Sequence, residues 1–214
     1  MAGEKQSSSP VMKDMISPME NTVYFLPNSD ARQSQIYFYI PMGDYNREEN
    51  VRREAFNQYI SGGFSGLIMN EIREKNSMAY TAYGFASSRG LPGAQTYFSG
   101  YIGTQNDKAV DAIDLYMKLL TDMPERPGRI DNIKSYLRQS ALTDHPDSRN
   151  LSLRIAEWKR RGYTDDPAKE ELPLIDSLTF PDIVDYYQKN IKGKPIIIGV
   201  LGNPKAVSYT HLRA

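Results

Sequence analysis

Apolar residues change their spacing several times along this chain, and each change marks an element. Thr22 to Leu26 (TVYFL) is a short run of β-branched and aromatic residues, closed by the turn formers Pro27, Asn28, Ser29 and Asp30. Ser34 to Met42 (SQIYFYIPM) is a longer run of the same kind. Its near-continuous apolarity predicts a central strand covered on at least one face. From Arg47 to Ile60 the spacing turns helical, with Val51, Ala55, Tyr59 and Ile60 recurring every three to four residues. Ser61-Gly62-Gly63 ends that helix, as glycine does at a left-handed cap. A second helix follows at once, with Phe64, Leu67, Ile68 and Ile72 on its stripe. Ala79 to Ser88 and Ala94 to Thr104 read as two strands around the hairpin-type loop Arg89-Gly90-Leu91-Pro92-Gly93.

The second half is helical. Ala109, Ile113, Tyr116, Met117 and Leu120 form one stripe, and Ile130, Ile133, Leu137 and Ala141 the next. Leu151, Ile155 and Trp158 form a third. Thr179 and Asp182 have the spacing of a capping box that opens a helix through Ile183, Tyr186 and Tyr187. Lys194 to Val200 closes as a buried strand. The order β-β-α-α-β-β-α-α-α-α-β, with hairpins and helices segregated, predicts an α+β two-layer sandwich. Its mainly antiparallel mixed sheet carries the helices on one face. No internal linker divides the chain, so residues 21–205 are expected to form one domain after a polar linker or ragged start, residues 1–20. The tail AVSYTHLRA breaks the pattern and resembles translated sequencing-adapter read-through, so residues 206–214 are expected to be non-native.

Composition narrows the function classes. Apolar residues make up 40% and charged residues 24% of the 214, and 26 basic residues balance 26 acidic ones. A chain with no net charge has no global field to gather phosphates, which disfavours nucleic acid as a partner. Cysteine is absent, excluding disulfides, thiolate metal sites and a Cys nucleophile. No apolar run reaches the roughly 18 residues of a membrane span, and the first residues have no h-region of a signal peptide. A soluble protein of bacterial-type cytoplasm or periplasm is expected.

Familiar catalytic templates are missing. A hydrolytic zinc site needs three ligands, commonly His and Glu at helical spacing. The only histidines, His145 and His211, sit in neither H-E-x-x-H nor H-x-x-E-H. His145, beside Pro146, reads as a solvated or capping loop residue. There is no G-x-S-x-G elbow and no phosphate-binding loop. The adjacent acids Glu48-Glu49, Asp165-Asp166 and Glu170-Glu171 read as solvated faces. Tyr37, Tyr39, Tyr80, Tyr83, Tyr97 and Tyr101 could form a stacking platform for single strands, but without a basic groove core and sheet-face packing is the better reading. One stretch stands apart, SGGFSGLIMNEIREKNSMAY from Ser61 to Tyr80. Its glycines leave backbone N–H groups at a helix start with little side-chain cover. Ile72 belongs to the buried stripe, so Arg73, one step round, lies at its edge. Tyr80 opens a strand after a short loop, so a guanidinium fork and a phenol O–H can project toward one site. On spacing alone, the plainer reading is a cation favouring a helix C-terminus, followed by a packed tyrosine.

The same stretch resembles the signature of the C-terminal domain of pitrilysin (insulinase) family zinc metallopeptidases. The matching residues are Gly62-Gly63, Leu67, Ile72-Arg73-Glu74-Lys75 and Ala79-Tyr80, with Gly66 departing mildly from the pattern. Arg32 to Ile36 and Leu178 to Ile183 resemble flanking segments of that domain, so the resemblance runs from about Asn21 to Lys205. It implies one of four similar α+β domains in two lobes that close around a peptide. Zinc and the Glu base would lie in an H-x-x-E-H helix of an N-terminal catalytic domain, on the same parent chain or a partner subunit. Arg73 and Tyr80 would reach the substrate near the scissile bond and support the transition state, and Gly62 and Gly63 would shape the wall of the cleft. The chain alone is then expected to be inactive. Some relatives are non-catalytic, so a partner or scaffold subunit is the alternative.

Overall fold

In the computed structural model, residues 15–144 and 146–205 are described. Most of the expected polar start, both histidines and the expected non-native tail lie outside them. Five strands form one sheet: β1 (Thr22–Pro27), β2 (Gln33–Asp44), β3 (Thr81–Ser87), β4 (Gln95–Gln105) and β5 (Ile197–Gly202). Their order across the sheet is β1-β5-β2-β4-β3. β1 runs parallel to β5 and every other pair is antiparallel, so the expected mixed, mainly antiparallel α+β sheet is present. β2 is flanked on both sides, as its apolarity predicts.

The described helices are α1 (Asn50–Ser61), a π-helical segment (Met69–Lys75), α2 (Ala109–Thr121), α3 (Ile130–Thr143), α4 (Leu151–Arg160), α5 (Pro167–Ser177) and α6 (Phe180–Asn190). Side chains alternate along the strands. Ile36, Phe38, Ile40, Ala82, Ala86, Phe98, Ile102, Ile198 and Val200 point at the helices and form the core with Phe56, Tyr59, Tyr116 and Ile183. Tyr116 of α2 lies stacked on Phe38 at 4.1 Å between ring centroids and donates to the Tyr83 carbonyl at 2.9 Å. It passes beneath Gly84 and Gly100, which face each other on β3 and β4. A Cβ on either glycine would come within 2.4 Å of the Tyr116 hydroxyl.

Helix α5 is absent from the sequence reading. Asp166 caps it by accepting from the Ala168 N–H at 3.0 Å, and Pro167 occupies the first turn. Pro173 inside the segment hides its helical character, since proline removes an N–H and is expected to break a helix. The pair Glu170-Glu171 is also not a solvated face. Arg47 donates to Glu170 at 2.7 Å, while Asn50 and Tyr163 donate to Glu171 at 2.7 and 2.6 Å. These bonds tie α5 and Tyr163 to the start of α1. α4 departs in the other direction: Leu151 and Ile155 are exposed and no residue of this helix is buried. The capping box is formed, with the Thr179 N–H donating to Asp182 at 2.9 Å.

Candidate functional site

The glycine-rich turn after α1 folds on itself. The Gly62 N–H donates to the Gln58 carbonyl at 2.9 Å and the Gly66 N–H to the Gly63 carbonyl at 3.1 Å. These amides are therefore not available to a ligand, contrary to the reading of a bare helix start. Gly63 has φ +60, a left-handed conformation that disfavours a side chain. A Cβ at Gly62 would sit 2.2 Å from the Gln58 oxygen, and one at Gly66 would sit 2.7 Å from the Ser61 Cα. Backbone crowding within the turn accounts for Gly62 and Gly66, and the left-handed backbone for Gly63.

The turn leads, through buried Leu67 and Ile68, into the π-helical segment. Ile72 is fully buried beneath it, while Arg73, the next residue, points out. Such wide turns are uncommon and recur at functional sites. Glu71 brings together bonds from inside and outside the segment. Glu71 accepts from Lys75 at 2.9 Å and from Arg126, and the Asn76 amide donates to the Glu71 carbonyl at 2.7 Å. Burial pushes the Glu71 carboxyl up, but the hydrogen bonds and charges of Lys75 and Arg126 outweigh it and hold the carboxyl below its usual range.

The chain then reverses sharply. The Ser77 N–H donates to the Arg73 carbonyl and the Met78 N–H to the Ile72 carbonyl, both at 2.9 Å, with Ser77 at φ 51. Thr104, at the end of β4, donates to the Met78 carbonyl, and Lys108 Nζ donates to the Ser77 carbonyl at 3.1 Å. The Tyr80 N–H reaches the Gly103 carbonyl at 2.9 Å and starts the β3–β4 ladder. Tyr80 thereby opens onto the same cleft as Arg73.

Both residues line one open cleft of about 350 Å³, together with Glu74, residues 77–79, Thr104, Gln105 and Lys108. Tyr80 is 52% exposed and the Arg73 side chain 44%, so neither is sealed in the core. Arg73 Nε lies 3.6 Å from the Glu74 carboxylate, a loose surface pair that leaves the guanidinium able to exchange partners. Gln105 Nε2 donates to the Tyr80 hydroxyl oxygen at 3.0 Å, leaving the phenol proton to donate outward. The arrangement offers several hydrogen-bond donors to a carbonyl or carboxylate oxygen. Gln105 and Lys108 were missed from sequence. The signal was present: pairing the two predicted strands across the loop at residues 89–93 sets the end of the second strand beside Tyr80. Gly62 and Gly63 do not join this cleft. They border a separate depression of about 480 Å³ with Glu54, Gln58, Phe85 and Tyr136.

The sheet face away from the helices carries a second feature. Tyr24, Tyr37, Tyr101 and Tyr83 lie in one row across the strands, interrupted by Gly199. The Tyr101 ring is 5.1 Å from Tyr37 and 5.3 Å from Tyr83, and Phe85 adds to the ladder at 5.6 Å from Tyr83. Tyr37, Tyr101 and Tyr83 thus pack ring against ring on the open face, and none of the four tyrosines belongs to the core. Among the described residues, no three His, Cys, Asp or Glu side chains are placed to hold a metal ion, and no helix is long and apolar enough to cross a membrane.

The sequence matches the family described as "Peptidase M16 inactive domain" over residues 8–128. A comparison with curated proteins gives no match. Among solved structures, the fold is similar to a peptidase M16 inactive domain from Pseudomonas fluorescens, with a TM-score of 0.70 and 16% identity. That alignment covers 91% of this chain and 47% of the other. The periplasmic protease PqqL from Escherichia coli aligns with a TM-score of 0.69 and 16% identity over 92% of this chain and 22% of that one. A chain of complex III2 from Candida albicans aligns with a TM-score of 0.65 and 13% identity, covering 89% and 48%. The chain therefore spans half or less of the length of these structures.

Proposed function

The chain belongs to the peptidase M16 inactive-domain family, the C-terminal domain of pitrilysin-type proteins, and from that premise we propose that it is the substrate-binding domain of a zinc metalloendopeptidase. The observation that carries this reading is the convergence of Arg73 and Tyr80 on one open cleft. A planar guanidinium and a phenol O–H, both accessible and projecting from the two ends of the same turn, suit a peptide carbonyl oxygen. The same donors would gain strength as that oxygen acquires negative charge during attack, which is where an enzyme benefits most from placed dipoles. The described residues do not fit a zinc site, so no step through a metal is assigned to this chain. In this reading zinc belongs to a catalytic domain on the parent chain or on a partner subunit, and the substrate is a peptide enclosed between lobes. The cleft on this chain is open on one side, as half of such an enclosure would be.

Arg73→Ala in the parent enzyme is expected to lower kcat/KM by about 100-fold, the usual effect of losing one oxyanion donor. Zinc content, measured by atomic absorption, should not change. Activity within about twofold of the unaltered enzyme would remove the role assigned to Arg73. A second reading is a non-catalytic partner or scaffold subunit, favoured by the description of the family as an inactive domain and by the shared fold in a complex III2 chain. The upstream reading frame separates the two, since an intact H-x-x-E-H there supports the enzyme and a degenerate one supports the subunit.

A further inference from the structure

The cleft that holds Arg73 and Tyr80 is lined by two cations and one carboxylate. Glu74 already faces Arg73, at 3.6 Å. Lys108 forms no ion pair within 4 Å among the described residues, and its ammonium is anchored only by a carbonyl, that of Ser77 at 3.1 Å. An ammonium has three donors, so two remain to be directed elsewhere. The backbone around Lys108 is fixed. Asn106, two residues earlier, accepts from Ser34 Oγ at 2.7 Å and donates to the Ala31 carbonyl at 2.8 Å. The lysine therefore stands at a defined edge of the cleft, its ammonium resting on the turn that follows Arg73. Tyr80, with its oxygen occupied by Gln105, adds a neutral donor.

Resting on the reading of this cleft as a peptide site, we propose that Lys108, with Arg73, makes it selective for a peptide carboxylate, so that Lys108 sets specificity. A neutral carbonyl can also accept from Arg73 or Tyr80, although a carboxylate forms the stronger, charge-assisted bond to Arg73. Only a negative group also gains from the second, unbalanced cation, and the difference is one of charge rather than shape. A carboxylate could come from the C-terminus of a peptide or from an Asp or Glu side chain within it.

The test titrates the isotopically labelled 214-residue chain with three millimolar peptides while NMR follows the Arg73 Nε–H and Lys108 side-chain signals. One peptide ends in a free carboxylate, one is a C-terminal amide with an internal Glu, and one is the amide with Gln in place of Glu. Binding of either or both acidic peptides about five- to tenfold tighter than the neutral one is expected, and the preferred arm identifies the source of the carboxylate. Lys108→Gln should abolish the preference while retaining binding of the neutral peptide. Lys108→Arg should restore it, which a merely structural role in holding the turn would not require. Equal affinity for all three peptides, or no binding of any, overturns the inference. Equal affinity that is nonetheless lost in Arg73→Ala leaves the peptide-site reading standing and removes only the charge selectivity.

Discussion

Tyr116 depends on two side chains that are missing. Its ring lies on Phe38, and its hydroxyl fits a slot made by Gly84 and Gly100 on neighbouring strands, where any Cβ would collide. Burial raises the phenol's pKa well above its usual value, so it stays a neutral donor to the Tyr83 carbonyl throughout the accessible pH range. Gly100→Ala is expected to destabilise the fold by about 2 kcal/mol, the typical cost of forcing extra volume into a packed core. Thermal or urea unfolding of the variant measures it, and an unchanged midpoint would mean that the sheet yields locally. The strand pattern showed that residues 84 and 100 are glycines but not that they face one ring, because that depends on the register of β3 with β4. The same holds for Glu170 and Glu171. Two adjacent acids look solvated until Arg47, Asn50 and Tyr163 are brought to them from distant positions.

At the scale of elements, the π-helical segment positions the candidate site, and it is fastened from outside. Arg126, between α2 and α3, reaches both Glu71 and, at 3.4 Å, Asn70. Arg129 donates to the Ser65 carbonyl and lies over the Tyr59 ring at 5.1 Å. Because the Glu71 carboxyl titrates lower in the folded state than when free, its contribution is fully present above the ordinary value of 4.5. That contribution is lost as the pH falls from there through the folded value. Below pH 4.5 the amides from Ile72 to Met78 should lose hydrogen-exchange protection before the β4 amides do. Glu71→Gln should show the looser behaviour already at pH 7, at a cost of about 1 kcal/mol. Protection that falls together in both regions would indicate global unfolding instead. The edge strand β3 is closed by the same logic, with Asn57 of α1 donating to and accepting from the Ala86 backbone at 3.1 and 2.7 Å and Ser61 accepting from the Gly84 N–H at 2.8 Å. Side chains of a helix thus satisfy an edge that would otherwise invite another strand. The periodicity of apolar residues made helix and strand existence legible here. It could not reveal the widened π turn, because Leu67, Ile68 and Ile72 fit an ordinary helical stripe as well.

For the whole molecule, the sheet has one packed face and one open face, and neighbouring residues on β2 should report this. Phe38 is 1% exposed and Tyr37 is 51% exposed. Phe38→Ala is expected to cost about 4 kcal/mol, which lowers Tm by about 10 °C in a chain of this size. Tyr37→Ala should lower it by only a few degrees, and similar shifts in a calorimetric comparison would contradict the two-layer assignment. The alternation of β2 leaned toward Ile36, Phe38 and Ile40 but did not settle which set faces the helices, since Tyr37 and Tyr39 in the other set are also largely apolar. That was decided by where the helices pack. The sequence by itself determined the strands, most of the helices, the capping box and the family signature, because these depend on residues a few positions apart and on local backbone preference. Tertiary structure alone decided that Gly62 and Gly63 border a different depression, that α4 contributes nothing to the core, and that the Lys108 ammonium reaches the turn after Arg73. Each of those outcomes depends on residues meeting across long stretches of chain, where spacing carries no information and packing does.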